Sequence, residues 1–240
     1  MKRFLSCLLA LSSLVTAAHA QTVIDPFTSP DSVTYNYQNA YYGGGTFGSI
    51  ADFGTVSGGI WTPAPPAGAI NTDHFIVNNS AIQLANIGDS VSLDFNMTAL
   101  DGSAVGIILS SDLAGSNTAE ILVQASGGTG YFFTGGGPGS AQTTVQTGYS
   151  TLTVTKESAD TFLASVSGGG LATPFSETVT FSAANDYIGL SLFANGGTTA
   201  TAENFILNAA SVPEPSQTVL MSLGLLTVIV LVRSRKNHIA

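Results

Sequence analysis

Nucleophilic and acid–base side chains are scarce in this chain of 240 residues. The single cysteine is Cys7, and His74 is the only histidine between positions 21 and 211. No G-x-S-x-G motif occurs, so a Ser-His-Asp triad would have to use His74 without a nucleophile elbow. We therefore predict that His74 is a surface or turn residue. We also predict no catalytic serine or cysteine and no thiolate metal site.

Carboxylates suitable for glycoside hydrolysis are also not apparent, because that chemistry needs two carboxyl groups about 5 to 10 Å apart. Asp94 is the only acid on its predicted strand, and Glu157 and Asp160 fall in a predicted hairpin turn. The glycine string 43–48 satisfies G-x-G-x-x-G, but no strong strand precedes it and no helical pattern follows. We predict a flexible glycine loop there, no cofactor, and no enzymatic activity.

Aromatic residues near the N-terminus form the candidate binding set, and they lie among asparagine and glycine. They are Tyr35, Tyr37, Tyr41, Tyr42 and Trp61. Aromatic rings stack on sugar rings while amides and hydroxyls bond the ring edges, so this set could bind a glycan. The alternative, which we favour, is that these rings fill the core, since large aromatic side chains are usually buried.

Charge is distributed unevenly along the chain. Between positions 21 and 211, Lys156 is the only basic residue against 14 acids, which gives −13. A nucleic-acid-binding protein needs a basic surface, so that class is excluded. An anionic polysaccharide would be repelled unless divalent cations bridged it to the protein, so we expect a neutral glycan or a cation-dependent association. Oxygen ligands for Ca²⁺ are plentiful, but no D-x-D-x-D-G loop occurs and no metal ligands are assigned.

The N-terminus has the pattern of a secretory signal peptide. Two basic residues precede an apolar run that ends near Val15, and Ala18 and Ala20 form an A-x-A site. A membrane anchor is the alternative, but this run is too short to span about 30 Å of hydrocarbon. We predict a signal peptide over 1–20, with Gln21 as the first residue after cleavage.

The C-terminus combines three elements in a fixed order. The motif Pro213-Glu214-Pro215 precedes an apolar segment over 218–232, and the basic residues Arg233, Arg235 and Lys236 follow it. A helix with a rise of about 1.5 Å per residue makes this segment a marginal membrane span. By the positive-inside rule, we expect the basic tail on the cytoplasmic side and the main domain outside.

Residues 212–240 resemble a PEP-CTERM sorting signal, the bacterial tail that an exosortase recognises. The resemblance rests on the Pro-Glu-Pro motif, the Leu/Gly-rich stretch 220–226 and the basic tail, and it departs from the pattern in the extra residues 237–240. It implies transit through the inner membrane, removal of the tail by an exosortase-like enzyme, and delivery to the outer surface or extracellular matrix of a Gram-negative bacterium that makes exopolysaccharide. An ordinary anchor that is never cut is the alternative.

Residues 21–211 show the alternating pattern of an all-β domain. Between Ser90 and Thr98, apolar residues alternate with polar ones, and glycine-rich turns separate most of the other predicted strands. Those strands are Ala104–Leu109, Ala119–Ala125, Tyr131–Thr134, Tyr149–Thr155, Thr161–Val166, Thr178–Phe181, Tyr187–Phe193 and Asn204–Asn208. Lys156 to Asp160 is the predicted turn of a hairpin. The pattern predicts an antiparallel β-sandwich or barrel.

The last third of this domain resembles a concanavalin A-like, or laminin G-like, jelly roll. The resemblance rests on the predicted hairpin, the Y-x-G-L pattern at 187–190, and the strand that contains Asn204 and Phe205, where Glu203 replaces the usual Asp. It implies a jelly-roll sandwich. The E-x-D-x-x-E type of strand that glucanases of this fold use is absent. The sequence therefore predicts an exported, non-enzymatic envelope or matrix protein, with a carbohydrate-binding module as the alternative.

Overall fold

The computed structural model describes residues 20–29, 32–39, 43–47, 50–64, 70–97, 104–115, 118–126, 130–134, 148–169, 174–181, 186–195 and 200–210. Within these residues the chain forms strands and one short 3₁₀ helix, η1 (Ile50–Phe53), and every strand pair is antiparallel. The predicted all-β class is confirmed.

Two sheets contain the described strands. Sheet A consists of β1 (Ala20–Asp25), β4 (Gly54–Ser57), β5 (Ile60–Pro63), β7 (Ser90–Met97), β11 (Ser150–Lys156), β12 (Thr161–Gly168), β13 (Phe175–Thr180) and β15 (Ala200–Ala209). Sheet B consists of β2 (Tyr35–Asn39), β3 (Gly43–Phe47), β6 (Ile70–Val77), β8 (Ala104–Ser110), β9 (Thr118–Ser126), β10 (Gly130–Thr134) and β14 (Tyr187–Asn195).

The chain passes repeatedly between the two sheets. Sheet A has the strand order β13-β12-β11-β7-β15-β5-β4, and β1 also pairs with β15; sheet B has the order β10-β9-β8-β14-β6-β2-β3. The first and last described strands are therefore neighbours, and Ala20 lies opposite Ala209. The described chain therefore enters and leaves the sandwich at the same end of the β1–β15 pair.

The core lies between the sheets and follows the alternation of the strands. On β7, Val91, Leu93 and Phe95 are buried, while Ser92 and Asp94 between them are only half-buried on the other face. Every second side chain of a strand points to the same face of its sheet. The inward-facing side chains of both sheets therefore meet and form one buried cluster. The alternation predicted from Ser90 onward is confirmed for these residues.

An aromatic group fills one part of this core. Phe75 contacts Trp61 edge-on with ring centroids 5.6 Å apart, and it contacts Phe53 in the same way at 5.1 Å. Trp61 and Tyr35 are 0% and 1% exposed. The candidate role of Tyr35 and Trp61 in stacking on sugars is therefore wrong, because rings buried between the sheets offer no face to a ligand. The core alternative is the correct one for both.

A buried carboxylate fixes the start of the sandwich. Asp25 accepts hydrogen bonds from the Tyr35 hydroxyl (2.7 Å), the Phe27 backbone N–H (2.8 Å) and the Ser32 hydroxyl (2.9 Å). These three donors compensate for the burial of its charge. Burial, and then the charge of Asp25, raise the pKa of Tyr35 well above its usual value.

The predicted hairpin of residues 149–166 is confirmed, but its turn starts one residue later than predicted. Lys156 is the last residue of β11, opposite Phe162, rather than the first residue of the turn. Its ammonium group donates to the carboxylate of Asp186 at 2.5 Å and to the carbonyl of Leu84 at 2.9 Å. These contacts explain why the sole lysine of the domain is 6% exposed.

The glycine string is a strand and not the predicted flexible loop. Residues 43–47 form β3, which pairs with β2 from Tyr35↔Phe47 to Asn39↔Gly43. Glycine has low strand propensity, but ladder hydrogen bonds with a neighbouring strand override that weak preference.

Within the described residues no helix is long and apolar enough to cross a bilayer. The predicted helix 218–232 lies outside those residues.

Candidate functional site

A group of hydrogen-bonded polar residues lies on the outer face of sheet B, the face turned away from the core. It consists of His74 on β6, Glu120 on β9 and Ser191 on β14, and we refer to it as the His74 cluster. His74 is 5% exposed and Ser191 is fully buried. Polar residues this deeply buried outside the core are uncommon, so the cluster is the candidate functional site.

Strand alternation brings these three residues to the outer face. Each follows or precedes a core residue on its own strand: Phe75 after His74, Ile121 after Glu120, and Leu190 before Ser191. Ser191 lies directly opposite His74 in the pairing of β14 with β6. The two side chains are therefore adjacent neighbours on one face.

Glycine gives Glu120 access to this pair. Ser191 lies opposite Gly106 on β8, and β9 is the next strand beyond β8. Glu120 itself lies opposite Ile108, two residues along β8 from Gly106. Its carboxylate therefore reaches Ser191 diagonally across β8, past position 106, where glycine has no side chain.

One carboxylate oxygen joins the cluster. Oε1 of Glu120 contacts Nε2 of His74 and accepts a hydrogen bond from the Ser191 hydroxyl at 3.2 Å. Nε2 must carry a proton to face a carboxylate, so the imidazole is the donor in this contact. The other ring nitrogen, Nδ1, is buried and has no partner among the described residues. An unpaired buried polar atom costs roughly 1–3 kcal/mol.

The geometry of the His74 cluster limits its chemistry. In a serine hydrolase the histidine stands between the serine and the acid, whereas here the carboxylate stands between Ser191 and His74. The cluster also contains a single carboxylate, and glycoside hydrolysis uses two. The cluster could take part in recognition, because 22% of the Glu120 side chain is exposed and its carboxylate can accept hydrogen bonds from a ligand.

The prediction for His74 is wrong, because the residue is buried on β6, an interior strand of sheet B, and not at the surface or in a turn. The sequence signal was Phe75-Ile76-Val77 directly after it, an apolar run typical of a buried strand. Glu120 and Ser191 were not identified from the sequence, since they are separated from His74 and from each other by the chain path. Only the strand order brings them together.

A second polar group lies on the outer face of sheet A. Asp94 on β7 and Glu203 on β15 are opposite each other, a proximity that sequence spacing could not predict. Asp94 accepts hydrogen bonds from Thr151 at 2.5 Å and from the side-chain amide of Asn204 at 2.9 Å. Partial burial, and then the charge of Asp94, raise the pKa of Glu203. Asn204, at φ 50, lies in the irregular part of this pairing.

The remaining predicted site residues are distributed as follows. Tyr37 lies on β2 opposite Phe75, and its side chain is outside what the structure describes. Tyr41, Tyr42 and the sorting residues Pro213, Glu214, Pro215, Arg233, Arg235 and Lys236 lie outside the described residues, as does Ala18, whereas Ala20 begins β1. Among described residues, no three His, Cys, Asp or Glu side chains converge on a point that could hold a metal ion.

Comparisons with known proteins identify the fold. No family profile matches the sequence, and no curated protein matches it. The CBM2 module of the evolved Dit of Lactobacillus casei BL23 phage J-1 is similar in structure, with a TM-score of 0.51 and 15% identity over 81% of this chain and 98% of that chain.

Two other solved structures show weaker similarity. SCLam, a non-specific endo-beta-1,3(4)-glucanase from family GH16, has a TM-score of 0.49 and 13% identity over 82% of this chain and 94% of that chain. The legume lectin-like domain from Entamoeba histolytica has a TM-score of 0.45 and 10% identity over 81% of this chain and 97% of that chain. The described strands form an antiparallel sandwich of two sheets, and this fold is similar to that of the CBM2 module.

Proposed function

We propose that this chain is an exported, non-enzymatic protein of the cell envelope or exopolysaccharide matrix of a Gram-negative bacterium, and that an exosortase-like enzyme processes it. The ordered arrangement of Pro213-Glu214-Pro215, the apolar segment 218–232 and the basic tail carries this proposal. A signal peptide over 1–20 supplies export, and the inner membrane holds the intermediate.

The end of the described sandwich is compatible with processing. The last strand ends at Ala209, four residues before Pro213. Proline supplies no donor for strand pairing and has a fixed φ, which favours an extended and accessible cleavage segment.

Intact mass of the protein from its native host tests this proposal, with membrane and extracellular fractions measured separately. We expect an extracellular species that starts at Gln21 and ends between Pro213 and Ser216. Replacing Pro213, Glu214 and Pro215 together by alanine should leave the protein in the membrane fraction with its basic tail. A wild-type protein that is membrane-bound and retains Arg233 to Ala240 would show an uncut anchor and overturn the sorting proposal.

A second candidate function is binding of a neutral glycan at the His74 cluster, which the buried imidazole and the exposed part of Glu120 favour. The charge of −13 between positions 21 and 211 disfavours anionic glycans unless a divalent cation bridges them. A glycan array probed with the full chain tests this function, with and without a chelator.

Two charge-neutralising variants make the array test specific. Glu120→Gln removes the exposed carboxylate of the cluster and should weaken glycan binding about tenfold or more. Glu157→Gln makes the same change in an exposed turn of sheet A and should leave binding unchanged. Equal binding by both variants and the wild type would remove the His74 cluster as the glycan site.

A further inference from the structure

A cleft of about 350 Å³ opens between β1 of sheet A and two segments of sheet B, and we call it the β1 cleft. Its walls are residues 22–24, residues 32–34 just before β2, and residues 77–79 with Ile82 after β6. None of these belongs to the His74 cluster. The volume falls within the range of small-molecule sites, about 300–1,000 Å³.

The open edge of β1 forms one wall of the β1 cleft. Successive side chains of a strand point to opposite faces, so a cavity touched by Thr22, Val23 and Ile24 runs along the strand edge. Residues 32–34 precede β2 and are not part of a strand, and the carbonyl of Thr34 accepts a hydrogen bond from the Asn78 backbone N–H at 2.9 Å. Within the described residues β1 pairs only with β15, so its second edge presents backbone N–H and C=O groups to the cleft.

The side chains of the β1 cleft are uncharged and mixed in polarity. Thr22, Thr34 and Asn78 are exposed and supply hydroxyl and amide groups. Val23, which is 54% exposed, supplies an apolar surface together with Val33. A few polar groups beside aliphatic surface are typical of a site for a small neutral ligand.

Two other ligand classes fit less well. An anion would find no basic side chain among the residues that line the cleft, in a domain of charge −13. An extended peptide could add to the edge of β1, but the pairing is irregular between Val23 and Asp25, and Pro26 follows. Bulges and proline restrict strand addition, so the usable edge is short.

We propose that the β1 cleft binds a neutral mono- or disaccharide through the hydroxyl and amide groups of Thr22, Thr34 and Asn78 and the aliphatic surface of Val23. The proposal shares the ligand class of the second candidate function but places the ligand at a different site. It does not depend on the sorting proposal.

Saturation-transfer difference NMR on the full chain, in a detergent without a sugar headgroup, tests this site. The probes are cellobiose, maltose and N-acetylglucosamine, with glucuronic acid as the charged comparison. We expect transfer to at least one neutral sugar and none to glucuronic acid. Thr34→Phe should fill the cleft and weaken binding about tenfold or more. Thr178→Phe makes the same change on the exposed face of β13 and should leave binding unchanged.

Each other outcome overturns the β1 cleft as a saccharide site. Absence of transfer to every sugar removes it outright. Transfer that persists in Thr34→Phe but disappears in Glu120→Gln places the sugar at the His74 cluster, so the second candidate function survives and this proposal fails. Binding of the tetrapeptide Gln-Thr-Val-Ile, with no sugar bound, would assign the cleft to strand addition instead.

Discussion

At the residue scale, the hydrogen bond from the Tyr35 hydroxyl to Asp25 is expected to stabilise the start of the sandwich. Tyr35→Phe removes a buried donor to Asp25 at 2.7 Å and should lower the free energy of unfolding by about 1–3 kcal/mol in urea titration. Tyr149→Phe is the matched control, because its hydroxyl contacts that of Thr201 at 3.3 Å in a partly exposed position. Equal losses in the two variants would contradict a special role for the Asp25 contact.

The raised pKa of Tyr35 also predicts a pH dependence. The folded protein keeps this phenol protonated to higher pH than the unfolded chain does, so the stabilisation is complete below the unfolded pKa of about 10. It should disappear as the pH rises through the folded pKa. Urea titrations between about pH 8 and 11, which include the unfolded pKa of about 10, should show this effect. The free energy of unfolding should fall more steeply with pH for the wild type than for Tyr35→Phe.

The raised pKa of Glu203 should make stability depend on pH with the same sign, but at acidic pH. Its pKa is raised in the folded state, so its contribution to stability is largest below the unfolded pKa of about 4.3 and is lost as the pH rises through the folded pKa. Glu203→Gln should therefore stabilise the protein at neutral pH, by no more than about 0.5 kcal/mol because solvent screens this pair. The gain should vanish at low pH; a gain independent of pH would exclude repulsion from Asp94 as its cause.

Residue types alone predict no nucleic-acid binding and no cysteine site, but they could not identify the His74 cluster. A histidine followed by an apolar run has the signature of a strand, yet nothing in the local sequence indicates a partner 46 residues away. The aromatic residues show the opposite case. Their type predicts burial from surface area alone, and Tyr35 and Trp61 are buried as that argument favoured.

At the element scale, the pairing of β14 with β6 requires a glycine at position 189. A Cβ atom there would lie 2.3 Å from the carbonyl oxygen of Phe75 and 2.8 Å from the Cα of Ile76. Gly189→Ala must therefore displace backbone and should cost about 2 kcal/mol or more in thermal or urea unfolding. The same displacement should disturb Ser191 and the His74 cluster.

Gly58 offers the matched control, because the same substitution there meets open space. Its φ is 62 and no heavy atom lies within 4 Å of the added Cβ. Gly58→Ala should cost only the left-handed conformation, about 1–2 kcal/mol, and leave glycan or sugar binding unchanged. A cost at Gly189 no larger than the cost at Gly58 would mean that the two strands separate without difficulty.

The contacts of Lys156 connect three elements, and its substitution tests how firmly they are joined. Lys156→Met keeps the aliphatic length but removes the donor to Leu84 and the partner of Asp186. We expect a loss of about 1–3 kcal/mol in urea titration, less than for a fully buried pair because a third of the Asp186 side chain is exposed. Asp160→Asn, in the neighbouring exposed turn, should change stability by less than about 0.5 kcal/mol.

Period-two alternation predicts strands well where one face is buried and the other is solvated. β7, β11 and β12 follow it, whereas β8 and β14 are buried on both faces. The sequence located all nine strands from β7 to β15, although it missed the first three residues of β13 and the first four of β15. The first third was not predicted, because β3 is rich in glycine and β4 and β5 are only four residues each. Such strands form through pairing with neighbours, which no local pattern encodes. Lys156 was assigned to a turn for the same reason, since polarity alone does not indicate a buried partner.

At the scale of the whole molecule, the charge of −13 between positions 21 and 211 acts on every folded copy. With Lys156 already paired to Asp186, the described surface of the sandwich has little internal compensation for its carboxylates. Compact folding brings these like charges closer together than they are in the unfolded chain, so repulsion lowers stability at low ionic strength.

Salt should therefore stabilise the protein. The screening length falls from about 30 Å at 0.01 M to about 10 Å at 0.1 M ionic strength. We expect the urea midpoint to rise over this interval and to change little above it. Glu157→Gln combined with Asp160→Asn removes two charges from an exposed turn and should reduce the rise.

If the midpoint instead rises steadily to molar salt, and equally in the variant, salt is acting through apolar burial and not through charge. A rise seen only with Ca²⁺ or Mg²⁺ at matched ionic strength would indicate that a divalent cation binds the folded protein, and the expected dependence of matrix association on such cations would gain direct support.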